Sequence, residues 1–331
     1  MLEQSHVRQH SNSGYVTSQI ALLERKLQIS VSGRAQAFDL SKPSFQLTGT
    51  ANNYDKVALQ SPPAAFTGDG SVAYMLARSS TKLRGHFGNA YRAPSLYERF
   101  GGGFSSNPAT GLVGFTAYGD PRLAPDRYNS VDGGIDQYLF GNRAKISATY
   151  FYTRIIHLTA FDFSGIVNSK TDPFGRAYGY INGSGGISRG AEVSVDTRPL
   201  RSLTINGSYT YVNANTDRDQ SVGGFYKLFS LQPHTLTLVA TKHWGRRFDT
   251  TVDMFHGSAY NVPFFAVTQT RVYSFPGFTK TGLMANYRVF QGERRSVRAY
   301  VKVDNLFNQT YYESGWLAAK ATFALGMGYS F

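Results

Sequence analysis

The sequence predicts an all-β protein, specifically an antiparallel transmembrane β-barrel. Apolar or aromatic residues occupy alternate positions in 13 segments of about ten residues, so each segment has one apolar face and one polar face. Short and long connections alternate strictly between these segments. The composition agrees, because Gly (34), Tyr (22) and Phe (24) are abundant and charged residues make up only 17% of the 331 residues. Such a mixture favours strands and turns over helices.

The alternation is clear within single segments. In one of them Ile146, Ala148 and Tyr150 alternate with Ser147 and Thr149. The 13 predicted strands lie near residues 14–24, 27–38, 70–78, 82–91, 127–139, 143–156, 188–197, 203–212, 233–244, 248–260, 278–290, 296–306 and 320–331.

The connections predict that all the long loops lie at one end of the sheet. The tight turns are residues 24–26, 78–81, 140–142, 198–202, 245–247 and 291–295. The long loops are residues 39–69, 92–126, 157–187, 213–232, 261–277 and 307–319. Transmembrane barrels have this pattern, and closure lets every backbone polar group in lipid find a partner. A soluble sandwich is the alternative, but it has no reason to gather its long loops at one end.

The last predicted strand ends on an aromatic residue. Phe323, Leu325 and Met327 continue the apolar face to Tyr329 and Phe331. A terminal strand that ends in Phe, with Tyr two positions before it, resembles the signal by which the barrel-assembly machinery recognises outer-membrane proteins. We therefore expect Tyr329 and Phe331 to form this signal and the machinery to be a partner. The alternative is a plain amphipathic strand that happens to be terminal.

One strand stops at Arg92-Ala93-Pro94, where a long loop begins. Pro94 has no backbone N–H for a sheet ladder, and the glycines at 101–103 have no side chain to pack. The stretch YRAPSLYE (91–98) resembles the FRAP-x-L-x-E motif of TonB-dependent outer-membrane receptors, with Tyr in place of Phe. Downstream, LAPD (123–126) and DGG (132–134) are similar to the L-x-P-E and E-x-G segments of that family, and NLFNQTYY (305–312) resembles its NLF-D-x-x-Y element.

The resemblance covers roughly residues 14–331 and implies a larger protein. Family members have a signal peptide, a TonB box, an N-terminal plug and a barrel of 22 strands. We therefore expect residues 1–13 to be a loop or a truncated N-terminal segment and residues 14–331 to be a partial receptor barrel, without plug and first strands. Bacterial single-chain barrels have even strand numbers, so 13 implies a missing strand or an error of one in the count. No signal peptide is predicted in this chain, because no apolar segment follows a basic N-terminus.

The resemblance also implies a function. The expected protein is an integral component of the outer membrane of a Gram-negative bacterium, and it takes up a scarce nutrient, a ferric siderophore or cobalamin. TonB would act only through the missing N-terminal part. Two alternatives stay open: a passive porin-like or structural barrel, and a non-functional receptor fragment. We expect no enzyme and no cofactor, since we recognise no catalytic arrangement of residues in the sequence.

The basic residues are concentrated at the short turns. These turns and their flanking residues carry a formal charge of +11 of the chain's +13, whereas the long loops together are nearly neutral. Because the charge is spread around a rim instead of forming a stripe, we do not expect a nucleic-acid partner. The distribution suggests contact with anionic membrane lipid. It is equally consistent with basic turns that only keep strand ends soluble.

Residues in the long loops are the candidates for ligand binding. Arg and Tyr side chains suit an anionic aromatic ligand such as a ferric catecholate, through charge-assisted hydrogen bonds and cation–π contacts. The candidates are Arg92, Tyr97, Arg99, Phe104, Tyr118, Arg122, Arg127, Arg176, Tyr178 and Tyr180. A structural role is the alternative for each of them, and it is favoured for Arg92 within its motif.

Metal and phosphate sites are not expected from the sequence. None of the seven His residues belongs to an HxH or HExxH cluster, so no metal site is predicted. The run Gly183-Ser184-Gly185-Gly186 is too short for a phosphate-binding loop, and we interpret it as a flexible loop tip between two strands.

Overall fold

A computed structural model describes residues 4–46, 54, 58–106, 113–162, 167–216, 231–266, 269–292 and 295–331. Its main feature is one antiparallel sheet of 13 strands in which each strand pairs with its neighbour along the chain. The strands are β1 (Gln9–Leu22), β2 (Leu27–Leu40), β3 (Ala65–Leu76), β4 (Thr81–Arg92), β5 (Asp126–Leu139), β6 (Ala144–Asp162), β7 (Gly179–Leu200), β8 (Leu203–Thr216), β9 (His234–Trp244), β10 (Phe248–Gly257), β11 (Phe278–Gln291), β12 (Ser296–Asp304) and β13 (Thr322–Ser330). The predicted antiparallel arrangement of 13 strands is confirmed.

Five tight turns among the described residues join strands at one end of the sheet, which we call the turn end, and Gln291 pairs with Ser296 at the same end. Several turn residues have positive φ, for example Leu23 (53°), Glu24 (55°) and Asn142 (67°). This backbone twist matches the right-handed twist of the flanking strands. The opposite end, which carries the long connections, is called the loop end below.

Four predicted boundaries differ from the structure by five residues or more, and one of them is the start of β3, at Ala65 instead of near residue 70. β1 begins at Gln9 instead of near residue 14, so residues 9–13 are strand and not loop. β6 and β7 form a hairpin of 19 and 22 residues that extends well beyond the predicted strands. Consequently the prediction of a flexible tip at residues 183–186 is wrong, because these residues lie inside β7.

The glycines in this stretch of β7 have a packing reason. A Cβ atom on Gly185 would lie 1.9 Å from the backbone oxygen of Ile155 on the facing strand. Only a residue without a side chain fits this close approach. Gly185 therefore permits pairing of the extended hairpin instead of breaking it.

The two faces of the sheet differ in polarity. On one face His86 Nδ1 lies 2.9 Å from Asp132 Oδ2, and Arg84 forms an ion pair with Asp136 at 3.4 Å. A cavity of about 370 Å³ opens beside that pair. On the other face, apolar side chains such as Val193 and Leu238 are 40% and 39% exposed. An apolar face this open is typical of the lipid-facing side of a barrel.

Short elements order the long connections. Four two-stranded ribbons pair residues 4–6 with 44–46, 102–106 with 113–117, 260–266 with 269–275, and 312–313 with 316–317. One short helix, α1 (Leu96–Phe100), follows β4. Within the described ranges, the model contains no helix with the length and hydropathy needed to span a membrane.

Candidate functional site

The loop end between β4 and β7 is the best-packed region of the long connections. Tyr54, Phe115, Ala117 and Phe174 form a buried cluster there, and Phe45 packs against it. Tyr54 also donates a hydrogen bond of 2.9 Å from Oη to the Gly119 carbonyl oxygen. This apolar centre holds the segments that carry most of the predicted site residues.

Helix α1 is fixed by its N-terminal cap. Ser95 Oγ accepts a hydrogen bond of 3.1 Å from the Glu98 N–H, and Glu98 Oε2 accepts one of 2.7 Å from the Ser95 N–H. This reciprocal pair is a capping box, which satisfies two backbone donors at the start of the helix. Pro94 precedes the cap, so the chain leaves β4 and enters the helix within three residues.

Arg92 joins the end of β4 to α1 and to the start of β5. It forms ion pairs of 2.9 Å with Glu98 and 2.7 Å with Asp126. Burial opposes ionisation of Glu98, but hydrogen bonds from Arg92 and Ser95 outweigh it and hold the pKa of Glu98 below its ordinary value. These contacts agree with a structural role for Arg92, which stays a prediction.

Asp126 is fully buried at the centre of this junction. Its Oδ1 atom accepts hydrogen bonds from Thr159 N and Oγ1 at 2.7 and 2.8 Å, and its Oδ2 atom accepts one from Tyr128 Oη at 3.1 Å. Together with Arg92, these donors tie β4, β5 and β6 together at the loop end. A buried carboxylate with this many donors is well satisfied.

Arg176 is a second buried hub, only 2% exposed. Its guanidinium forms ion pairs of 2.9 Å with Asp172 and 3.0 Å with Asp120. It also donates to the backbone oxygens of Tyr118 at 3.2 Å and Tyr180 at 3.0 Å. Arg176 therefore fastens the segment after β6 onto the segment before β5.

Asp120 is shared by two arginines. Besides Arg176, it pairs with Arg122 at 2.8 Å, and the Arg122 side chain is 54% exposed. Burial opposes ionisation of Asp120, but the hydrogen bonds from Arg122 and the charge of Arg176 outweigh it and lower its pKa. The Arg122 guanidinium also lies 5.2 Å from the Phe174 ring centroid, so it presents a held cation at the surface.

Arg99 is a buried residue as well. It is 3% exposed and donates to the carbonyl oxygens of Gln60 at 2.6 Å and Pro121 at 2.9 Å. Both Arg99 and Arg176 are buried; the donors of Arg176 bind protein oxygens, whereas Arg99 Nη1 has no hydrogen-bond partner among the described residues. Burial favours a positioning role for both, and their assignment as ligand-contacting residues stays a prediction.

Five aromatic rings form a continuous cluster at the surface of the loop end. Ring centroids of Phe161 lie 4.8 Å from Tyr180, 5.9 Å from Tyr118 and 6.2 Å from Tyr178. Tyr97, on α1, extends the row to Tyr180 at 6.2 Å. Tyr97 and Tyr178 are 53% and 41% exposed. Burial and a hydrogen bond with Tyr178 raise the pKa of Tyr118. We call these five rings the aromatic cluster.

The remaining candidates lie apart from this cluster. Arg127 is exposed, and its guanidinium lies 5.8 Å from the Tyr91 ring centroid. Phe104 belongs to the strand Gly102–Ser106, and its side chain lies outside the described residues. Tyr329 and Phe331 have exposed rings 5.9 Å apart at the end of the chain, and their role as an assembly signal stays a prediction.

Phe161 and the acidic hubs are the residues that sequence reasoning missed. Phe161 lies in a stretch predicted as loop, whereas β6 extends through it to Asp162. Asp126 is recognisable in the sequence only as part of the LAPD motif. Nothing in the sequence indicates that Asp120 and Asp172 form buried ion pairs. Within the described ranges, no group of three His, Cys, Asp or Glu residues is placed to hold a metal ion.

Comparison with known proteins gives a family match and a fold match. The family model described as "TonB dependent receptor-like, beta-barrel" matches residues 3–306. No curated protein sequence matches the chain significantly.

Three solved structures illustrate the fold match. The ferripyoverdine receptor of the outer membrane of Pseudomonas aeruginosa is 14% identical, with a TM-score of 0.70 over 98% of this chain and 39% of that one. The copper transporter OprC is 16% identical, with a TM-score of 0.70 over 98% and 48%. BauA, the ferric preacinetobactin receptor from Acinetobacter baumannii, is 15% identical, with a TM-score of 0.66 over 99% and 44%. The chain thus spans less than half the length of these structures.

Proposed function

The chain belongs to the TonB-dependent receptor β-barrel family, and from that premise we propose that it supplies the wall and outer loops of a receptor for a ferric siderophore. Family members are outer-membrane transporters and not enzymes. Two of the similar structures are receptors for ferric siderophores, and one is a copper transporter. Uptake by the whole protein, energised through TonB, is part of the proposal.

The aromatic cluster is the observation that carries the ligand class. Two of its residues are positioned by the Arg176 hub, because that side chain binds the backbone oxygens of Tyr118 and Tyr180. Exposed phenol rings at fixed spacing can stack on the planar rings of a catecholate. A ferric catecholate is anionic, and Arg122, which shares Asp120 with Arg176, supplies an exposed cation.

Burial separates contacting residues from positioning residues. Tyr97, Tyr118, Tyr178, Tyr180 and Arg122 are proposed to contact the ligand, since each retains solvent-accessible surface. Arg92, Arg99 and Arg176 are proposed to hold the loops in the geometry that presents them. Cobalamin would use the same rings through its corrin face, so the two ligand classes have to be compared directly.

Binding of defined probes to the detergent-solubilised chain tests the proposal. The probes are the ferric complex of 2,3-dihydroxybenzoate, a ferric hydroxamate, cobalamin and Cu²⁺ alone. We expect the catecholate to bind best. A variant with Tyr97→Leu and Tyr178→Leu should lose about tenfold or more in affinity, because each ring contact contributes about 0.5–1.5 kcal/mol.

The matched control removes an exposed aromatic ring far from the cluster. Phe140 lies at the turn end and is 79% exposed, so Phe140→Leu should leave binding unchanged. Equal affinity of the double variant and the control would contradict the assignment of the cluster. Preference for Cu²⁺ or cobalamin over both ferric probes would contradict the siderophore class.

A passive pore is not favoured by the family match. Planar-bilayer recording distinguishes it, because an unoccupied barrel lumen should give large, steady conductance steps. Such steps from the whole protein, plug included, would support the pore instead of the gated receptor.

A further inference from the structure

The turn end holds a cation on the apolar face of the wall. Lys242 is opposite Leu203 in the β8–β9 register, and Ala240 is opposite Ile205 on the same face. Cross-strand partners share a face, so Lys242 stands at the end of a row of apolar side chains. No described carboxylate lies within 4.0 Å of its ammonium group, so the structure provides no neutralising partner.

The surroundings of Lys242 combine hydrogen-bonding and apolar groups. Its Nζ atom donates to Ser202 Oγ at 2.7 Å and lies 5.6 Å from the Trp244 ring centroid. Trp244 Nε1 in turn donates to Thr250 Oγ1 at 2.8 Å, which fixes the indole, and the indole is 56% exposed. Trp is enriched where a protein crosses the boundary between hydrocarbon and head groups.

Further unpaired cations flank this position. Arg201 is in the same turn as Ser202, and Arg246 is in the turn that follows Trp244; both are exposed and make no ion pair with a described carboxylate. The neighbouring turns are in contact, since His243 N donates to Ser202 O at 2.8 Å. Leu200, 56% exposed, adds apolar surface on the same side.

We propose that Arg201, Ser202, Lys242, Trp244 and Arg246 form a binding site for the head group of an anionic phospholipid, such as phosphatidylglycerol. The phosphate accepts hydrogen bonds from the Lys242 ammonium and from the two guanidinium groups. The acyl chains lie along Trp244 and Leu200. An ammonium group on a lipid-facing surface needs an anion, and the head-group layer is where a membrane supplies one. The phosphates of a nucleic acid could pair with these cations, but a nucleic acid has no acyl chains to cover the exposed side chains of Trp244 and Leu200.

Fluorescence of Trp244 provides a direct readout. The chain has two tryptophans, so Trp316→Phe, at the loop end, leaves Trp244 as the only reporter. The full chain is placed in bilayers of a zwitterionic phospholipid that contain increasing amounts of phosphatidylglycerol with brominated acyl chains. We expect half-maximal quenching at a mole fraction at least tenfold lower than with brominated phosphatidylcholine.

Two triple variants in this background separate the site from net charge. Arg201→Gln, Lys242→Gln and Arg246→Gln should remove the tenfold preference. Arg8→Gln, Lys42→Gln and Lys170→Gln change the net charge equally at exposed positions of the loop end and should retain it. Circular dichroism checks that both variants keep the sheet.

The outcomes also separate this site from the proposed function. Equal quenching by both brominated lipids would refute the head-group site and leave the membrane barrel intact. Equal loss of preference in both triple variants would refute it as well, because net charge alone would then explain the preference. Absence of quenching by either lipid would refute the site together with the membrane placement that the proposed function requires.

Discussion

Replacing Arg176 by Met should loosen the loop end without unfolding the wall. The side chain is 2% exposed and forms two ion pairs, with Asp120 and Asp172. Removing one member of a buried ion pair destabilises the folded state by about 3–5 kcal/mol, because the remaining charge stays buried without a partner. Asp120 keeps Arg122, and Asp172 keeps two backbone N–H donors. We therefore expect the low end of this range, about 3 kcal/mol.

Hydrogen exchange at one amide measures this loss. Tyr180 N donates to Tyr118 O at 2.8 Å and thus spans the two segments that Arg176 joins. If this amide exchanges through local opening, a loss of about 3 kcal/mol accelerates its exchange by roughly 150-fold. Amides in the centre of β9 and β10 should not change, since they belong to a part of the sheet far from this hub.

The matched control removes the other arginine on the same carboxylate. Arg122 pairs with Asp120 at 2.8 Å, but its side chain is 54% exposed, so its ion pair contributes about 1 kcal/mol or less. Arg122→Gln should accelerate exchange at Tyr180 by about fivefold at most. A change below about tenfold in Arg176→Met, or equal changes in both variants, would refute the reasoning from burial.

Three further predictions concern the pH response and the backbone. Folding lowers the pKa of both Glu98 and Asp120, so both carboxylates stabilise the loop end at pH values above their ordinary pKa values of 4.5 and 3.8, and this stabilisation is lost as the pH falls through the lowered native pKa values. Amide exchange at the loop end, corrected for its intrinsic pH dependence, should therefore rise below about pH 4. Constant protection from pH 6 to pH 3 would contradict this. Ser95→Ala removes the capping hydroxyl and should destabilise helix α1 by about 1 kcal/mol, which is measured as faster exchange at the Glu98 amide. Ser95→Thr is the conservative control, and equal exchange in both variants would show that the cap contributes nothing. Gly185→Ala places a Cβ 1.9 Å from a backbone oxygen of the facing strand, whereas Gly183→Ala places one at 3.3 Å. In exchange measurements Gly185→Ala should weaken the β6–β7 pairing by about 1–3 kcal/mol, and Gly183→Ala should weaken it much less. A larger effect of Gly183→Ala would contradict the packing argument.

The wall was predictable because one physical rule acts on every strand of it. In a transmembrane barrel each strand separates lipid from a polar lumen, so its sequence alternates, as at Ile146 to Tyr150. This alternation can be recognised without knowledge of the neighbouring strands. The extension of β7 through Gly183–Gly186 was not predictable in the same way. Glycine there is required by the backbone of the facing strand, and single-sequence reasoning interprets glycine as a sign of a loop.

The candidate site was predictable in residue type but not in role. Arg and Tyr in the long loops were identified, yet nothing in the sequence separates buried Arg176 from exposed Arg122. That difference depends on contacts with Asp120 and Asp172, and Asp120 lies 56 positions away from Arg176. Pairings over such distances are fixed by the topology of the loop end, which alternation along one strand does not encode.

The long β6–β7 hairpin has a consequence for how such receptors can diverge. The 22 residues of β7 make a strand about 70 Å long at roughly 3.3 Å per residue. At a tilt of about 40° from the barrel axis, this strand rises roughly 50 Å, which is well beyond a hydrocarbon layer of about 30 Å. The stem is held by backbone hydrogen bonds, which depend on the identity of the side chain only at close approaches such as Gly185. Substitutions near the tip can therefore change the chemistry offered to a ligand while its height and direction above the membrane stay the same. This separation lets ligand preference drift under selection without a new fold for the wall.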